Sequence, residues 1–211
     1  LIIAEAVEQF ATYIKPFGAF QDSYRELLEI ANDAKHPLML VVTGEFKTGK
    51  STFINTLLGQ NVLKVDVTPA TAAVTKISYG SKPGLIAHFK DGSQRNYPLC
   101  SLAKLSAEGD MEAASIRQKL DHLDVVLSSP ILNKYTIVDT PGLNSVYDYH
   151  TEATQQFISR ADIIFWLFSL SNVGSKTEIA SITSLGEELK PIAVINRIDE
   201  HDPEEDDLDD L

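Results

Sequence analysis

The chain alternates short apolar runs with longer segments in which apolar residues recur at helical spacing. Short apolar runs bounded by turn residues are typical of buried strands, and spacings of three and four are typical of amphipathic helices. The predicted strands cover residues 38–43, 73–79, 124–127, 135–139, 163–168 and 191–195. The predicted helices cover residues 50–58, 99–107, 111–120, 149–160 and 175–188. Strands that alternate with helices predict an α/β domain with a largely parallel sheet.

A β-hairpin interrupts this alternation in the middle of the chain. Residues 85–90 and 93–97 are strand-like and flank Asp91-Gly92, a dipeptide that favours the tight turn of a hairpin. The hairpin predicts extra antiparallel strands.

The N-terminal region differs from the rest because it contains no predicted strand. Residues 3–34 are predicted to be helical, with a break near Pro16 and Gly18. We therefore expect two regions: an N-terminal helical segment over 1–36, which packs on the α/β domain or leads to it, and that domain over 37–211. The chain lacks an initiator Met and opens within an apparent helix, so we expect it to be a fragment of a longer protein, truncated at its C-terminus.

The overall composition is that of a globular protein. Of the 211 residues, 44% are hydrophobic and 23% are charged, and the length suffices for one domain with a sizeable core. The single cysteine, Cys100, excludes an intramolecular disulfide framework and suits a reducing compartment, which predicts a cytoplasmic location. No apolar run approaches the length of a membrane span, and no signal peptide is visible.

The net charge of −12 is unevenly distributed along the chain. Residues 199–211 hold nine of the 30 acidic residues and no Lys or Arg, which leaves 21 acidic against 18 basic residues elsewhere. The body therefore lacks the basic excess expected of a nucleic-acid binder, and we predict no nucleic-acid partner. The acidic segment is either a disordered tail or a helix start, with Asp202 as N-cap and Pro203 in the first turn. Leu208 and Leu211 lie at helical spacing and favour the helix.

Residues 44–51 carry the clearest chemistry. They read Gly-Glu-Phe-Lys-Thr-Gly-Lys-Ser, the G-x-x-x-x-G-K-S pattern of a phosphate-binding loop, between a predicted strand and a predicted helix. Backbone N–H groups and the helix N-terminus can then hold phosphate, with Gly44 and Gly49 permitting the turn. Lys50 would reach the β- and γ-phosphates, and the Ser51 hydroxyl would bind Mg²⁺. The predicted nucleotide contacts here are Glu45, Phe46, Lys47, Thr48, Gly49, Lys50, Ser51 and Thr52.

A second motif, Asp139-Thr140-Pro141-Gly142, follows the predicted strand at 135–139. A carboxylate at the end of a buried strand beside a phosphate loop can hold Mg²⁺ directly or through water. The N–H of Gly142 can contact a γ-phosphate, and that contact would order the loop behind it. We therefore predict Asp139 as a metal ligand and Gly142 as part of the catalytic site.

A third motif, Asn196-Arg197-Ile198-Asp199, follows the strand predicted at 191–195. It resembles the Asn-Lys-x-Asp motif of GTPases, in which the acidic residue accepts hydrogen bonds from guanine N1 and the exocyclic amine. Adenine offers no such pair of donors, so the carboxylate would select guanine. Arg197 stands where Lys is usual, and its guanidinium can also stack on a base. The competing interpretation is a solvated turn after a strand.

The predicted exposed loop at 59–72 supplies a candidate for the catalytic threonine of the first switch. Thr71 lies 20 residues after Ser51. Its hydroxyl could bind Mg²⁺ and its carbonyl could hold the attacking water. Thr68, in the same loop, is the competing candidate.

These motifs together resemble the GTPase domain of the dynamin superfamily, in particular a dynamin-like protein of bacterial type. The resemblance covers residues 38–199. It rests on the stretches GEFKTGKST, TPATAAVTKISYG, LDVVLSSPILNKYTIVDTPGLNS, HTEATQQFISRADIIFWLFS and NRID. Lys50 and Asp139 are 89 residues apart, much further than in Ras-like proteins, and dynamin-like domains carry extra strands and helices in that interval.

The resemblance implies a Ras-like P-loop GTPase fold enlarged in the dynamin manner, with Mg²⁺ as cofactor and GTP and GDP as substrate and product. It also implies a homodimer across the nucleotide face, with possible higher assemblies, and coupling of hydrolysis to membrane remodelling. Membrane lipid would be contacted by regions that this chain does not contain, so the full-length protein would be cytoplasmic and peripherally membrane-associated.

Two positions differ from better-known GTPases. Leu143 occupies the place of the water-orienting Gln of Ras-like proteins, which dynamin relatives also lack. Lys47 occupies the place of a Ser that helps eukaryotic dynamins hold a monovalent cation, and its tethered ammonium could supply that charge. The competing interpretation for Lys47 is a side chain that points into solvent.

Three other residues could be given a functional role, but each has a simpler structural interpretation. Trp166 lies in a predicted strand and is expected in the core. His150 is expected at the surface near a helix start, and Cys100 has no catalytic partner in the sequence.

Two rival functions share the same motifs. A ribosome- or RNA-associated P-loop GTPase should carry a basic face, which the sequence does not show. A scaffold that dimerises on GTP without turnover would release no phosphate.

Overall fold

The computed structural model describes residues 2–64, 73–106, 111–142, 151–170, 173–183, 185 and 189–200. The chain divides into two compact units, Leu1–Pro37 and Leu38–Leu211. Trp166, expected in the core, is buried, and Cys100 is an exposed free thiol. No helix among the described residues is both long and apolar enough to cross a membrane.

The first unit is a helical hairpin, α1 (Ile2–Ile14) and α2 (Gln21–Asp33), joined through a 3-10 turn at Gly18–Phe20. The predicted break near Pro16 and Gly18 is confirmed. Alanines at positions 4, 11 and 31 are fully buried, because small side chains let two helices approach closely. Lys35 and Glu8 form an ion pair within this unit.

The second unit is built on one eight-stranded sheet. Its strands are β1 (Leu38–Gly44), β2 (Val74–Tyr79), β3 (Gly84–Phe89), β4 (Gln94–Tyr97), β5 (Leu120–Leu127), β6 (Tyr135–Asp139), β7 (Ile163–Ser169) and β8 (Ile192–Asn196). Its helices are α3 (Lys50–Leu58), α4 (Leu102–Ser106), α5 (Met111–Arg117), α6 (Thr151–Ile158) and α7 (Lys176–Thr183).

The strand order is β4-β3-β5-β2-β6-β1-β7-β8. Strands β6, β1, β7 and β8 are parallel to one another, and β2 is parallel to β5 but antiparallel to β6. The predicted hairpin forms β3 and β4, and β3 also runs antiparallel to β5. The predicted α/β fold with added antiparallel strands is confirmed.

Apolar side chains cover both faces of this sheet. The larger cluster includes Leu40, Val42, Ile54 and Ile77, and the smaller one includes Val41 and Val138. Neighbouring residues of β1 thus belong to opposite clusters, as expected for a strand buried on both faces. Because β1 is held rigidly in this way, the loop after Gly44 starts from a fixed position.

Two sequence predictions need correction. The loop predicted over 59–72 is exposed at residues 59–61 and 64, but Leu63 is buried, and the N–H groups of Val62 and Leu63 bond the Asn55 side chain. The helix expected over 111–120 ends at Arg117, and β5 starts at Leu120 rather than at residue 124. Buried and half-buried positions alternate with the two-residue period of a strand from Leu123 to Leu127, and Leu120 belongs to the same strand because it pairs with Phe89 beyond a shift in register.

Candidate functional site

The loop between β1 and α3 begins at a position that only glycine tolerates. Gly44 has φ 141°, and a Cβ atom built on it would lie 2.4 Å from the backbone oxygen of Leu167 on the neighbouring strand. Gly44 and Leu167 are paired in the parallel register of β1 and β7. The loop therefore leaves the sheet in close contact with the adjacent strand.

Lys50, the first residue of α3, turns its side chain back into this loop. Its Nζ donates hydrogen bonds to the backbone oxygens of Gly44 (3.1 Å) and Glu45 (2.6 Å). Burial lowers the Lys50 pKa to about 8, although the negative charges of Asp139 and Glu45 oppose the shift. A buried ammonium surrounded by loop oxygens is well placed to exchange those partners for phosphate oxygens.

Asp139 ends β6, directly opposite Val42 of β1 in the parallel register. It is buried, and its charge acts on Lys50. The next residue, Thr140, bonds the Val42 carbonyl through both its N–H (3.3 Å) and its hydroxyl (3.1 Å). Thr140 thereby fixes the chain after Asp139 against β1.

Gly142 lies against the phosphate loop. A Cβ atom at this position would lie 3.0 Å from both the N and Cα atoms of Phe46. The second motif is thus close enough to the first for both to contact one phosphate group. The residues from 143 to 150, which include Leu143 and His150, lie outside the described part of the chain.

Asn196 connects the third motif to the same loop. Its side-chain nitrogen donates a 2.9 Å hydrogen bond to the Thr48 carbonyl and would lie 2.3 Å from a Cβ at Gly49. Gly49 also has φ 88°, which favours glycine, and it precedes the first turn of α3. Both features leave glycine as the residue that fits between α3 and Asn196.

Asp199 and Arg197 follow Asn196 at the end of β8. Asp199 is exposed in a short 3-10 helix, Ile198–Glu200. Arg197 has φ 60°, and its guanidinium donates to the Glu200 carboxylate at 3.2 Å. The aspartate is therefore open to solvent on the strand-end side that carries Asn196.

The remaining predicted loop residues have distinct environments. Lys47 is exposed at φ 68°, with its ammonium 5.5 Å from the centre of the Phe46 ring. The Thr48 hydroxyl donates to the Glu45 carbonyl at 3.0 Å. Ser51 is half-buried and Thr52 is exposed in the first turn of α3. Thr71 and its competitor Thr68 lie outside the described residues.

Sequence reasoning missed the residues that support the loop from α7. The Glu178 N–H bonds the Ser175 hydroxyl (3.2 Å), which also lies 3.5 Å from the Glu45 carboxylate. Ser and Glu three residues apart before an apolar run form the pattern of a helix capping box, so this signal was available. Glu178 is fully buried; burial and then the charge of Glu45 raise its pKa, while N–H groups at Ser175 and Gly174 oppose the shift.

Asn55 was missed as well. Its amide donates to the Leu63 carbonyl at 2.8 Å and its oxygen accepts from Val62 and Leu63. It therefore anchors the start of the segment that leads towards Thr71. No local sequence signal distinguishes this Asn from an exposed helical one.

Comparison with known proteins identifies the family. The model of the Dynamin family matches residues 40–198, which is most of the chain. The chain belongs to the Dynamin family. The resemblance noted in the sequence is thereby confirmed, and with it the dynamin-like GTPase domain.

Two bacterial relatives illustrate the match. This dynamin-family chain is 31% identical over 184 residues to Dynamin-like protein 2 of Campylobacter jejuni, covering 85% of the chain and 29% of that protein. It is 26% identical over 180 residues to Dynamin-like protein A of Bacillus subtilis, covering 82% of the chain and 14% of that protein.

A solved structure agrees with the fold. The structure of an oligomerised bacterial dynamin pair, described as a mechanism for sensing and tethering membranes, superposes with a TM-score of 0.57 at 25% identity. The match covers 94% of this chain and 32% of the other. The chain thus spans less than a third of the length of each of these three proteins.

Proposed function

We propose that this dynamin-family domain binds GTP in the loop between β1 and α3 and hydrolyses it with Mg²⁺. One observation carries the proposal: Lys50 at the start of α3, Asp139 at the end of β6 and Asn196 at the end of β8 all lie around the loop between β1 and α3. Lys50 is hydrogen-bonded within the loop, Asp139 acts on its charge, and Asn196 bonds the Thr48 carbonyl. Ligands of parallel α/β sheets bind at this edge, outside the carboxyl ends of the strands.

The chemistry is transfer of the γ-phosphoryl group to water. The oxygen of water bonds the γ-phosphorus, the bond to the β–γ bridging oxygen breaks, and GDP and inorganic phosphate are released. Lys50 and the loop N–H groups would stabilise the charge that develops on the phosphate oxygens. The Gly142 N–H, next to Phe46, would contact the γ-phosphate.

The residues present suit Mg²⁺, which prefers oxygen ligands. Ser51 supplies a hydroxyl at the start of α3, and Asp139 supplies a buried carboxylate at the end of β6. Mg²⁺ held there would neutralise charge on the β- and γ-phosphates. We propose Thr71 as the third protein ligand.

Guanine selectivity would come from Asp199. The exposed carboxylate follows Asn196, which is bonded to the phosphate loop, so base and phosphates would be held by one connected element. Lys47, exposed on the same loop, is proposed to take the place of a monovalent cation. Phosphate release from a Lys47→Ser variant should then depend on K⁺, whereas release from the unmutated chain should not.

Dimerisation and membrane action are proposed from the relatives. The bacterial dynamin pair is described as oligomerised and as tethering membranes. We propose that two copies of this domain pair across their nucleotide faces when GTP is bound. Light scattering with GDP and aluminium fluoride should give twice the mass found with GDP alone, and an unchanged mass would contradict the pairing.

A comparison of nucleotides that differ only in their base tests the central proposal. The unmutated chain should bind GTP at least about a hundredfold more tightly than ATP, because adenine leaves the Asp199 carboxylate unpaired. Asp199→Asn should shift this preference towards xanthosine triphosphate. Asp91→Asn is the matched control, since it makes the same change in an exposed turn where Asn-Gly is equally suitable. Equal affinity for ATP and GTP would refute the assignment, and tight binding without phosphate release would indicate a scaffold.

A further inference from the structure

Three potential metal ligands meet on one face of the antiparallel part of the sheet. His88 of β3 lies opposite His122 of β5, and the two imidazole rings are stacked, 4.3 Å apart and 8° from parallel. Asp124 lies two residues after His122 and therefore on the same face of β5. His88 Nε2 is 3.1 Å from Asp124 Oδ2, and His122 Nε2 is 3.6 Å from Asp124 Oδ1.

These separations suit one small divalent ion. Tetrahedral zinc with bonds of about 2.0–2.1 Å holds its ligand atoms about 3.3 Å apart. The two observed nitrogen–oxygen distances lie on either side of this value, and the three ligand atoms all lie within 4.8 Å of one another. The two distances reach different oxygens of the Asp124 carboxylate, and the two rings are nearly parallel, so the imidazoles must turn out of their stack to point both Nε2 lone pairs at one ion.

A β-bulge orients His122. The pairing of β3 with β5 shifts between His88 and Phe89, so that Asp121 has no partner across the ladder. Asp121 Oδ2 lies 2.7 Å from Nδ1 of His122 and can accept a hydrogen bond from an Nδ1–H group. In the neutral imidazole, Nε2 then presents its lone pair to the Asp124 carboxylate, an arrangement that a bridging cation would stabilise. Carboxylates in this outer position are typical of metal-binding histidines.

The three side chains are partly exposed, so that an ion could reach them from solvent, and neighbouring residues cover the rest of their surface. The side chains of His122 and Asp124 are each 18% exposed, and that of His88 is 28% exposed. The Phe157 ring packs edge-on against His122 at 5.4 Å. Lys76 Nζ lies 3.5 Å from Asp124 Oδ1 and would compete with a cation for that oxygen.

We propose that His88, His122 and Asp124 form a site for a transition-metal ion of the Zn²⁺ class, with its fourth position open to solvent. Two imidazoles and one carboxylate select Zn²⁺, Co²⁺ or Ni²⁺ over Mg²⁺, which prefers oxygen. The bound ion would tie β3 to β5, in the half of the sheet that does not carry the phosphate loop. Asp121 is a positioning residue, and Lys76 is displaced when the ion binds.

Zinc titration of the chelator-treated full chain tests the site. We expect one equivalent of Zn²⁺ to bind, Co²⁺ to give the visible absorption of a tetrahedral complex, and thermal stability to rise. His88→Ala and His122→Ala should each weaken Zn²⁺ binding at least about a hundredfold. His36→Ala is the matched control. It removes an exposed histidine of the helical hairpin and should leave the affinity for Zn²⁺ unchanged.

Two further variants keep the test decisive if an alanine variant fails to fold. Asp121→Asn should weaken Zn²⁺ binding about tenfold, the range typical of outer-shell ligands. Lys76→Met should strengthen it several-fold, because the competing ammonium is gone. Failure of the unmutated chain to take up Zn²⁺, or Zn²⁺ binding that none of these changes affects, would overturn the proposal.

Discussion

The half of the sheet built from β6, β1, β7 and β8 differs from the half built from β4, β3, β5 and β2 in where its polar chemistry lies. In the first half, Asp139 and Asn196 are the last residues of β6 and β8, and Lys50 starts the helix that follows the β1 loop. In the second half, His88 and His122 lie within paired strands and face each other across the ladder.

Strand direction explains this difference. Parallel strands send their carboxyl ends to the same edge, so successive loops converge there and can surround one ligand. Antiparallel neighbours send successive loops to opposite edges, but they bring side chains into direct cross-strand contact. Parallel pairing therefore builds a site from loops, and antiparallel pairing builds one from strand faces.

Glycine replacements should separate the two halves most strongly. Gly44→Ala should lower the free energy of unfolding by about 3–4 kcal/mol, because the new Cβ meets the Leu167 oxygen in addition to the unfavourable φ. Gly92→Ala, in the β3–β4 turn, should lower it by only about 1–2 kcal/mol, since φ is 81° but no atom lies within 4 Å of the new Cβ. Urea unfolding measures both values. Similar losses would mean that the strand-end loop is no more tightly constrained than the turn.

A pair of lysine replacements should show that the two sites act independently. Lys50→Met should weaken GTP binding at least about a hundredfold, about 2.7 kcal/mol, because it removes the buried charge that meets the phosphates. Stability without nucleotide should be retained, since Met is of similar length and needs no desolvation of an ammonium.

Lys76→Met is the complementary change. It should leave GTP affinity unaltered and alter only Zn²⁺ binding, because Lys76 contacts Asp124. Calorimetric titration of both variants with both ligands measures the four affinities. Loss of Zn²⁺ binding in Lys50→Met would contradict the separation of the two halves.

The sequence predicts the two halves to different extents for the same physical reason. The phosphate loop is contiguous, so residues 44–51 identify it, and the α3 bounds follow from the loop. The contact of Asn196 with Thr48 was not predicted, although parallel strands place their carboxyl ends at the same edge of the sheet. The Mg²⁺-binding role of Thr71 stays a prediction, because Thr71 lies outside the described residues.

The His88 and His122 pair could not be predicted in this way. The two residues lie 34 positions apart, and their contact depends on the register of β3 with β5 and on the bulge beside Phe89. A shift of one residue would send these side chains to opposite faces. The misplaced start of β5 in the sequence prediction left this register undefined.

The smallest expected effect concerns Glu178, which supports the strand-end site from α7. Its folded-state pKa is raised above the usual 4.5, by burial first and by Glu45 second. The folded state therefore holds this proton to higher pH than the unfolded state does, and stability falls as pH rises through that window. Glu178→Gln keeps a capping-box residue but cannot ionise. Its melting temperature should be slightly higher than that of the unmutated chain at pH 8, and this difference should disappear near pH 4.5.

Glu178→Ala, which removes the cap as well, should lose additional folding stability at every pH, about 1 kcal/mol if the cap contributes a typical amount. Melting curves of the three proteins across this pH range measure the effect. A difference between Glu178→Gln and the unmutated chain that does not change with pH would show that this carboxylate does not titrate as its burial requires.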